Sequence, residues 1–380
     1  MMPIAKPFLG EEEAKAASEA ILSGWVTQGP RVKEFEDNFA AYTGAKHACA
    51  VSSCTTALHL ALHGVGVGPG DEVITVSQSF IATANAVRYC GALPVFVDVH
   101  PETYNMDPSR IEEAITPATK AILCVHQIGM PCDMPAILAI AKKHGLKVVE
   151  DAACCAGVEI RMDGEWEKIG RPHGDAACFS FHPRKVITTG DGGMVTTNDP
   201  ELDAQFRLLR QHAMSVPDTV RHNSSEIIFE EYPILGFNYR MTDIQAGIGI
   251  EQLKRLDGLV ADRRRLAALY TELLQDLPVE PPHQPDYCRS NWQSYQIMCP
   301  DVEQKQLMQI MQDNGIATRR GIMCAHREKA YAGPETCRIP ADGLPVCENI
   351  QDHGVLLPLF PGMTEDDVRL VVGELKKALG

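Results

Sequence analysis

Four short stretches of this chain hold residues able to do chemistry together, and each adjoins an apolar run of the kind that forms a buried strand. In open α/β sheets ligands bind beyond the carboxyl ends of the strands, so polar residues in those positions come first. Ser52-Ser53-Cys54-Thr55-Thr56 follows the run Ala48 to Val51 and stands directly before the helical Ala57-Leu58-His59-Leu60. Unpaired N–H groups and the dipole at a helix start favour an anion such as phosphate, and the hydroxyls add donors. Ser and Thr are also ordinary helix caps, and that reading stands beside the first. Glu150-Asp151 closes the run beginning at Lys147. A buried carboxylate needs a partner, which a protonated pyridine nitrogen or a structural salt bridge would equally supply.

Lys185 lies in Cys178-Phe179-Ser180-Phe181-His182-Pro183-Arg184-Lys185, followed by Thr188-Thr189-Gly190-Asp191-Gly192-Gly193-Met194. A lysine that attacks a carbonyl must lose its proton, which a shielded loop between two apolar strands permits. Most lysines are solvated surface charges, and alone Lys185 is no exception. Gly236-Phe237-Asn238-Tyr239-Arg240-Met241, ahead of a capped helix, reads by itself as an aromatic turn that packs a helix entry.

The elements that must position these residues alternate. Short β-branched runs at Ala48 to Val51, Glu72 to Val76, Pro94 to Val99, Ala121 to Val125, Lys147 to Glu150, Cys178 to Phe181 and Met194 to Thr197 are expected strands. Helical patterns fall between them at Thr55 to His63, Ala82 to Tyr89, Pro108 to Ile115 and Met134 to Lys143. That alternation signals βαβ units and a mostly parallel sheet. Pro200 to His212 reads as a helix, and Ala213 to Leu235 as a polar loop long enough to serve a site or a second subunit. Thr242 with Gln245 forms a capping box that opens a further helix. Helical character continues from Arg263 to Leu277, with Leu266, Leu269, Leu273 and Leu277 as a packing stripe. A strand at Ser294 to Met298 and helices near Val302 to Asn314 and Thr364 to Leu379 complete a smaller α+β part.

Composition narrows the class. The 380 residues carry a formal charge of −15 with 45% hydrophobic and 22% charged residues, as a compact enzyme would. Nucleic acid is disfavoured as a partner, since binding it needs clustered Lys and Arg. No stretch approaches the roughly 18 apolar residues of a membrane span, no secretory leader is evident, and a cytoplasmic location is expected. The 13 cysteines are scattered through apolar runs. Cys124, Cys132 and the Cys154-Cys155 pair lack metal-site spacing, so no metal is expected.

The order and wording of the four sites resemble the DegT/DnrJ/EryC1/StrS sugar aminotransferases, which belong to the fold type I pyridoxal-phosphate (PLP) enzymes. The likeness covers nearly the whole chain, from Gly24-Trp25-Val26-Thr27-Gln28-Gly29-Pro30 through Val65-Gly66-Val67-Gly68-Pro69-Gly70-Asp71-Glu72-Val73-Ile74 to beyond Asn238. It implies a large domain over residues 1–250, with a mostly parallel seven-stranded sheet flanked by helices, and a smaller α+β domain over 251–380. It makes Lys185 the Schiff-base lysine and Asp151 the partner of the pyridine nitrogen. Ser180 and the Cys54-Thr55 backbone would hold the phosphate, and Phe80 would stack on the ring. Asn238 would reach the phosphate from the neighbouring subunit, which implies a homodimer with shared active sites. His182 and His326 would line the sugar pocket, with Trp25 also expected at the substrate; Arg319, in Arg319-Arg320-Gly321-Ile322-Met323, reads either as a contact to an anionic group of the substrate or glutamate or as a surface charge.

Two residues depart from the family's pattern: Cys54 where many members have Gly, and Cys154 where many have Gln or His near the ring oxygen. A thiol is a weak donor, which leaves that oxygen to water or to the lysine linkage. The expected reaction passes an amino group from L-glutamate through pyridoxamine phosphate to a keto sugar. A nucleotide-linked hexose in amino-sugar synthesis for cell-surface glycans, including lipopolysaccharide, is the first expectation, and a nucleotide-free 8-keto octulosonic acid the alternative. Dehydratase relatives replace the lysine with histidine, whereas Lys185 is present. A PLP-fold sensor would need a lost lysine or a DNA-binding segment, and the sequence shows neither.

Overall fold

The computed structural model describes residues 1–216, 227 and 229–380. Of the polar stretch from Ala213 to Leu235, residues 217–226 and 228 therefore lie outside the described residues. The chain opens with helices α1 (Glu11–Leu22) and α2 (Pro30–Thr43) and then enters the alternating region. There it forms β1 (His47–Val51), α3 (Cys54–Gly64), β2 (Glu72–Val76), α4 (Ala82–Tyr89), β3 (Leu93–Val97), α5 (Ile111–Ala114), β4 (Thr119–Val125), α6 (Met134–His144) and β5 (Lys147–Asp151). A hairpin of β6 (Glu159–Met162) and β7 (Glu165–Lys168) precedes β8 (Ala176–Ser180) and β9 (Gly193–Thr197). The central sheet has seven strands in the order β1-β9-β8-β5-β4-β2-β3. Neighbours from β8 to β3 pair parallel, while β9 runs antiparallel to both β1 and β8.

Strand side chains alternate between faces, so each strand feeds two cores. Cys49 and Val51 join the core under α3 and α4, whereas Ala48 and Ala50 join the one under α2 and α6. Both faces are covered, which is why these strands read as continuous apolar runs instead of alternating ones. All seven expected strands are present with ends shifted by one or two residues. The third stops at Val97, because Asp98 turns away and accepts the N–H groups of Val346 (2.9 Å) and Cys347 (2.8 Å). The hairpin was not expected from sequence: its residues are largely charged, and its signal was the Asp163-Gly164 turn, with φ of 49° and 90°.

After α7 (Pro200–Leu209), the Thr242–Gln245 capping box opens α8 (Asp243–Leu273), a 31-residue helix that runs without a break through residue 250. It stops short of Leu277 because Pro278 disfavours helical geometry in the residue before it. The rest comprises β10 (Cys288–Arg289), β11 (Tyr295–Met298), α9 (Gln304–Asp313), β12 (Arg319–Arg320), α10 (Pro345–His353), β13 (Gly354–Leu357) and α11 (Glu365–Leu379). Strands β11, β13 and β12 form an antiparallel sheet whose core includes Leu266 and Tyr270 of α8, and β10 pairs with β6 of the hairpin.

Candidate active site

The carboxyl ends of β1, β4, β5 and β8 open into a cavity of about 540 Å³ that also takes lining residues from β12 and β13. Nine of the twelve residues singled out from sequence line it: Cys54, Thr55, Phe80, Asp151, Cys154, Ser180, His182, Lys185 and Arg319. The other three lie elsewhere on this chain.

Strand alternation separates the two carboxylates at the end of β5. Glu150, fully buried, accepts from His126 Nε2 (3.0 Å) and from the backbone N–H groups of His173 (2.8 Å) and Gly174 (2.9 Å). The Cys132 N–H donates to His126 Nδ1 (3.0 Å), so the ring proton sits on Nε2 and points at Glu150. Burial opposes the Glu150 carboxylate, but His126 and His173 stabilise it and hold the group well below the usual carboxylate range. Glu150 is thus the structural pair. Asp151 points into the cavity, accepting from Thr83 Oγ1 (2.7 Å) and Ala153 N–H (3.2 Å). Burial pushes its carboxyl above the usual range, against the help of Thr83, Ala153 and Lys185. A buried carboxylate in that state calls for one more cationic donor.

Lys185 reaches the same space from the loop after β8, its Nζ donating to Cys154 Sγ at 3.2 Å. Burial works against the ammonium, yet Cys154, Cys54 and Asp151 outweigh it and hold the lysine above its usual value. Behind the loop, Phe181 packs on Phe35 and Phe39 with ring centroids 5.2 and 5.6 Å apart.

At the start of α3, Ser53 caps by accepting the Thr56 N–H (3.2 Å), so the earlier N–H groups of Cys54 and Thr55 are the helix's open donors. Both readings of this stretch hold at once: Ser53 is the cap and its successors line the cavity. Gly193 permits the approach, since a Cβ there would come within 2.5 Å of the Ser53 backbone. Ser180 stands opposite, nearly buried at 9% exposure. Phe80 presents its ring to the opening at 63% exposure, unusual for an aromatic side chain and suited to a flat ligand. Burial, then Arg184, pulls His182 below its usual value.

Trp25 is not among the cavity-lining residues; its Nε1 donates to Gln28 O (3.0 Å) and its ring lies against Gly29. His326 is also outside, with Nδ1 at 2.6 Å from Ser77 Oγ and Nε2 at 3.0 Å from Glu348, so both ring nitrogens are committed. Asn238 is exposed away from the cavity, its backbone bridging Gln211.

Sequence reading missed Thr83, although it stands three residues after Phe80, in the first turn of α4. Replacing it with valine leaves one Asp151 oxygen unpaired, and loss of such a hydrogen bond costs about 1–3 kcal/mol. PLP affinity measured by fluorescence titration is expected to fall about tenfold in Thr83→Val, equivalent to 1.4 kcal/mol, and to recover in Thr83→Ser. Arg320, beside Arg319, and Arg184 also line the cavity, and sequence gives no view of which arginines converge.

A carboxylate lacking a cation, a lysine in reach of it, an exposed ring and open N–H groups at a helix start together fit PLP. Asp151 would take the ring nitrogen, Lys185 the aldehyde carbon, Phe80 the ring face, and Cys54, Thr55 and Ser180 the phosphate.

Comparison with known proteins gives the family. The model of the DegT/DnrJ/EryC1/StrS aminotransferase family matches residues 7–376. The GDP-perosamine synthase of Caulobacter vibrioides is 41% identical, over 99% of this chain and 98% of its own. The spore coat polysaccharide biosynthesis protein SpsC of Bacillus subtilis is 39% identical, over 98% of this chain and 95% of its own. Among solved structures, the aminotransferase TlmJ from Streptoalloteichus hindustanus superposes with a TM-score of 0.90 at 33% identity, covering 100% of this chain and 99% of that one.

Proposed function

The chain belongs to the DegT/DnrJ/EryC1/StrS aminotransferase family and is a PLP-dependent sugar aminotransferase, and from that premise we propose that it transfers an amino group from L-glutamate to a nucleotide-linked keto hexose. The observation that carries this reading is the convergence of Arg184, Arg319 and Arg320 on one wall of the cavity. Burial, then the charges of Arg184 and Arg320, lowers the Arg319 guanidinium. Among the described residues only Arg320 of the three pairs with a carboxylate, Glu328 at 3.6 Å. In a chain of net charge −15 such a cluster is maintained against the general trend. A diphosphate brings enough negative charge to relieve it, and bidentate guanidinium contacts suit phosphate. The single carboxylate of an octulosonic acid would relieve it less. The similarity to a GDP-perosamine synthase supports a nucleotide-linked sugar, and that to a spore coat polysaccharide biosynthesis protein supports a role in cell-surface glycans.

When bound, PLP supplies an electron-accepting ring that stabilises charge on the substrate carbon after its proton leaves. Asp151, oriented by Thr83 and Ala153, keeps the ring nitrogen protonated. Lys185 would hold the cofactor through its aldehyde carbon and, once its amine is free, would serve as the base that takes up and returns the proton of the substrate carbon. The first N–H groups of α3 anchor the phosphate, so that both half-reactions use one geometry. No helix among the described residues is long and apolar enough to cross a membrane.

A second copy of the chain completes the site in this reading. Phe229, Tyr232, Ile234 and Leu235 expose 87, 58, 47 and 85% of their surface, and a monomer rarely leaves such a strip uncovered. It lies just ahead of Asn238, which the partner would thereby receive. Sedimentation should give twice the chain mass, and Asn238→Ala should weaken PLP binding without dissociating the dimer.

The test of substrate is direct. Protein with PLP and L-glutamate is given guanosine-, uridine- and thymidine-diphosphate-linked 4-keto hexoses or the 8-keto octulosonic acid, and products are read by mass spectrometry. Amination of a nucleotide sugar, weakened in Arg319→Ala mainly through KM, supports the proposal. Amination of the octulosonic acid alone would replace it.

A further inference from the structure

We propose that Asn291 is a positioning residue for the known reaction: it fixes the loop after β5 so that Cys154 meets Lys185, while Gln293 fixes the lysine loop from the other side. Asn291 is fully buried in the segment between β10 and β11, a part of the chain that contributes none of the expected cofactor contacts. Its Nδ2 donates to two carbonyls of the loop after β5, Cys154 O and Ala156 O, each at 2.8 Å. Its Oδ1 accepts from Gln293 N–H at 2.9 Å. The Gln293 side chain then donates to Arg184 O at 2.9 Å, one residue before Lys185. A third cavity loop closes on the same point: a Cβ at Gly129, where φ is 95°, would come within 2.2 Å of Asn291 Oδ1. Two loops thus meet the Asn291 amide, and the third, which carries Lys185, is tied to it through Gln293.

The segment is built to hold still. Arg263, buried in α8, donates to Trp292 O (2.9 Å) and Gln293 O (3.3 Å), and Arg264 Nε donates to Ser290 O (2.7 Å). Trp292 is kept at φ 49°, a left-handed conformation costly for a tryptophan, and the surrounding hydrogen bonds pin it there. What the clamp controls is the 3.2 Å contact between Lys185 Nζ and Cys154 Sγ. A sulfur is a weak acceptor that does not enforce a geometry by itself, so the backbone bonds of Asn291 and Gln293 must set it.

Asn291→Asp keeps the size and replaces the amide donor with a carboxylate facing two carbonyls. The expected result is a kcat lowered about ten- to a hundredfold, as for other small misplacements, with KM for both substrates within twofold. The pH titration of the visible band of the PLP-loaded, non-reacting protein should shift as well. In a Cys154→Ala background, Asn291→Asp should change kcat less than threefold and leave the band titration in place, because residues acting through one contact are not additive. Equal losses in both backgrounds would show a merely structural residue and overturn the proposal, as would an unchanged band titration in folded Asn291→Asp. Where Asn291→Asp does not accumulate folded, Gln293→Leu, at a half-buried position, decides: a shifted band titration is expected and an unshifted one overturns the proposal. The proposal rests on Lys185 as the cofactor's anchor. Failure of that premise would appear separately, as a visible band that survives in Lys185→Ala.

Discussion

Lys185→Ala is expected to lose the visible absorption of lysine-linked PLP and at least about 10⁴-fold in transamination rate, since one side chain supplies both the attachment and the proton transfer. The loss should be chemical and not structural. Lys185 makes no carboxylate ion pair among the described residues, its side-chain contact is the weak one to Cys154, and the fold behind it rests on the Phe35, Phe39 and Phe181 cluster. Far-UV circular dichroism and the melting temperature of the PLP-free protein should therefore match the parent. Spectra recorded before and after L-glutamate decide the matter: in the parent the band should give way on adding glutamate, and in Lys185→Ala it should not form. A band that forms normally but ignores every amino donor would mean that transamination is the wrong reaction.

Asp151→Asn is expected to act in opposite directions on activity and on stability. With PLP, loss of the carboxylate would remove the charge proposed to keep the ring nitrogen protonated, and turnover should fall about 10³-fold, the scale of losing one preorganised electrostatic partner. Without PLP the carboxylate is a liability. Burial, ahead of the hydrogen bonds from Thr83 and Ala153, raises the Asp151 carboxyl above its usual value, so the folded state binds this proton more tightly than the unfolded chain does. Stability contributed by this group is thus present at low pH and is lost as pH rises through the folded value. At pH 8 the PLP-free Asp151→Asn protein should melt a few degrees above the parent. Lowering the pH towards the acid range should close the gap as the parent's carboxyl takes up its proton. Calorimetry of both PLP-free proteins from pH 5 to 8 checks the sign, and a parent that stays the more stable at pH 8 would show that Asp151 already has a cationic partner.

Much of the central sheet was legible because a strand buried on both faces must be apolar along its length, and seven such runs punctuated by helical stretches admit few arrangements. The long helix α8 announced its own start through Thr242 and Gln245. The hairpin of β6 and β7 was not legible in the same way: only Ile160 is buried in the core, with Met162 packed beside it, and two such residues among charged ones make no apolar run. Within the site, Lys185 and Asp151 came from a resemblance that motif order made specific, while physics left Glu150 and Asp151 interchangeable. The parity of strand β5 decided between them, sending one side chain to His126 and the other to Thr83.

By itself the sequence determined the fold class, because strands buried on both faces and amphipathic helices write their periods into short stretches of chain, while the order of its motifs gave, by resemblance, the family, the cofactor and Lys185 as the expected anchor. The tertiary structure alone decided which distant residues meet. Ser77 and Glu348 occupy both nitrogens of His326 and hold it away from the cavity. Arg184 and Arg319, far apart in sequence, share a wall, and Asn291 reaches the loop that bears Cys154 across 137 residues of chain. Such meetings depend on how helices and sheets pack, and packing responds to the shape and volume of every neighbour at once, which no local spacing records.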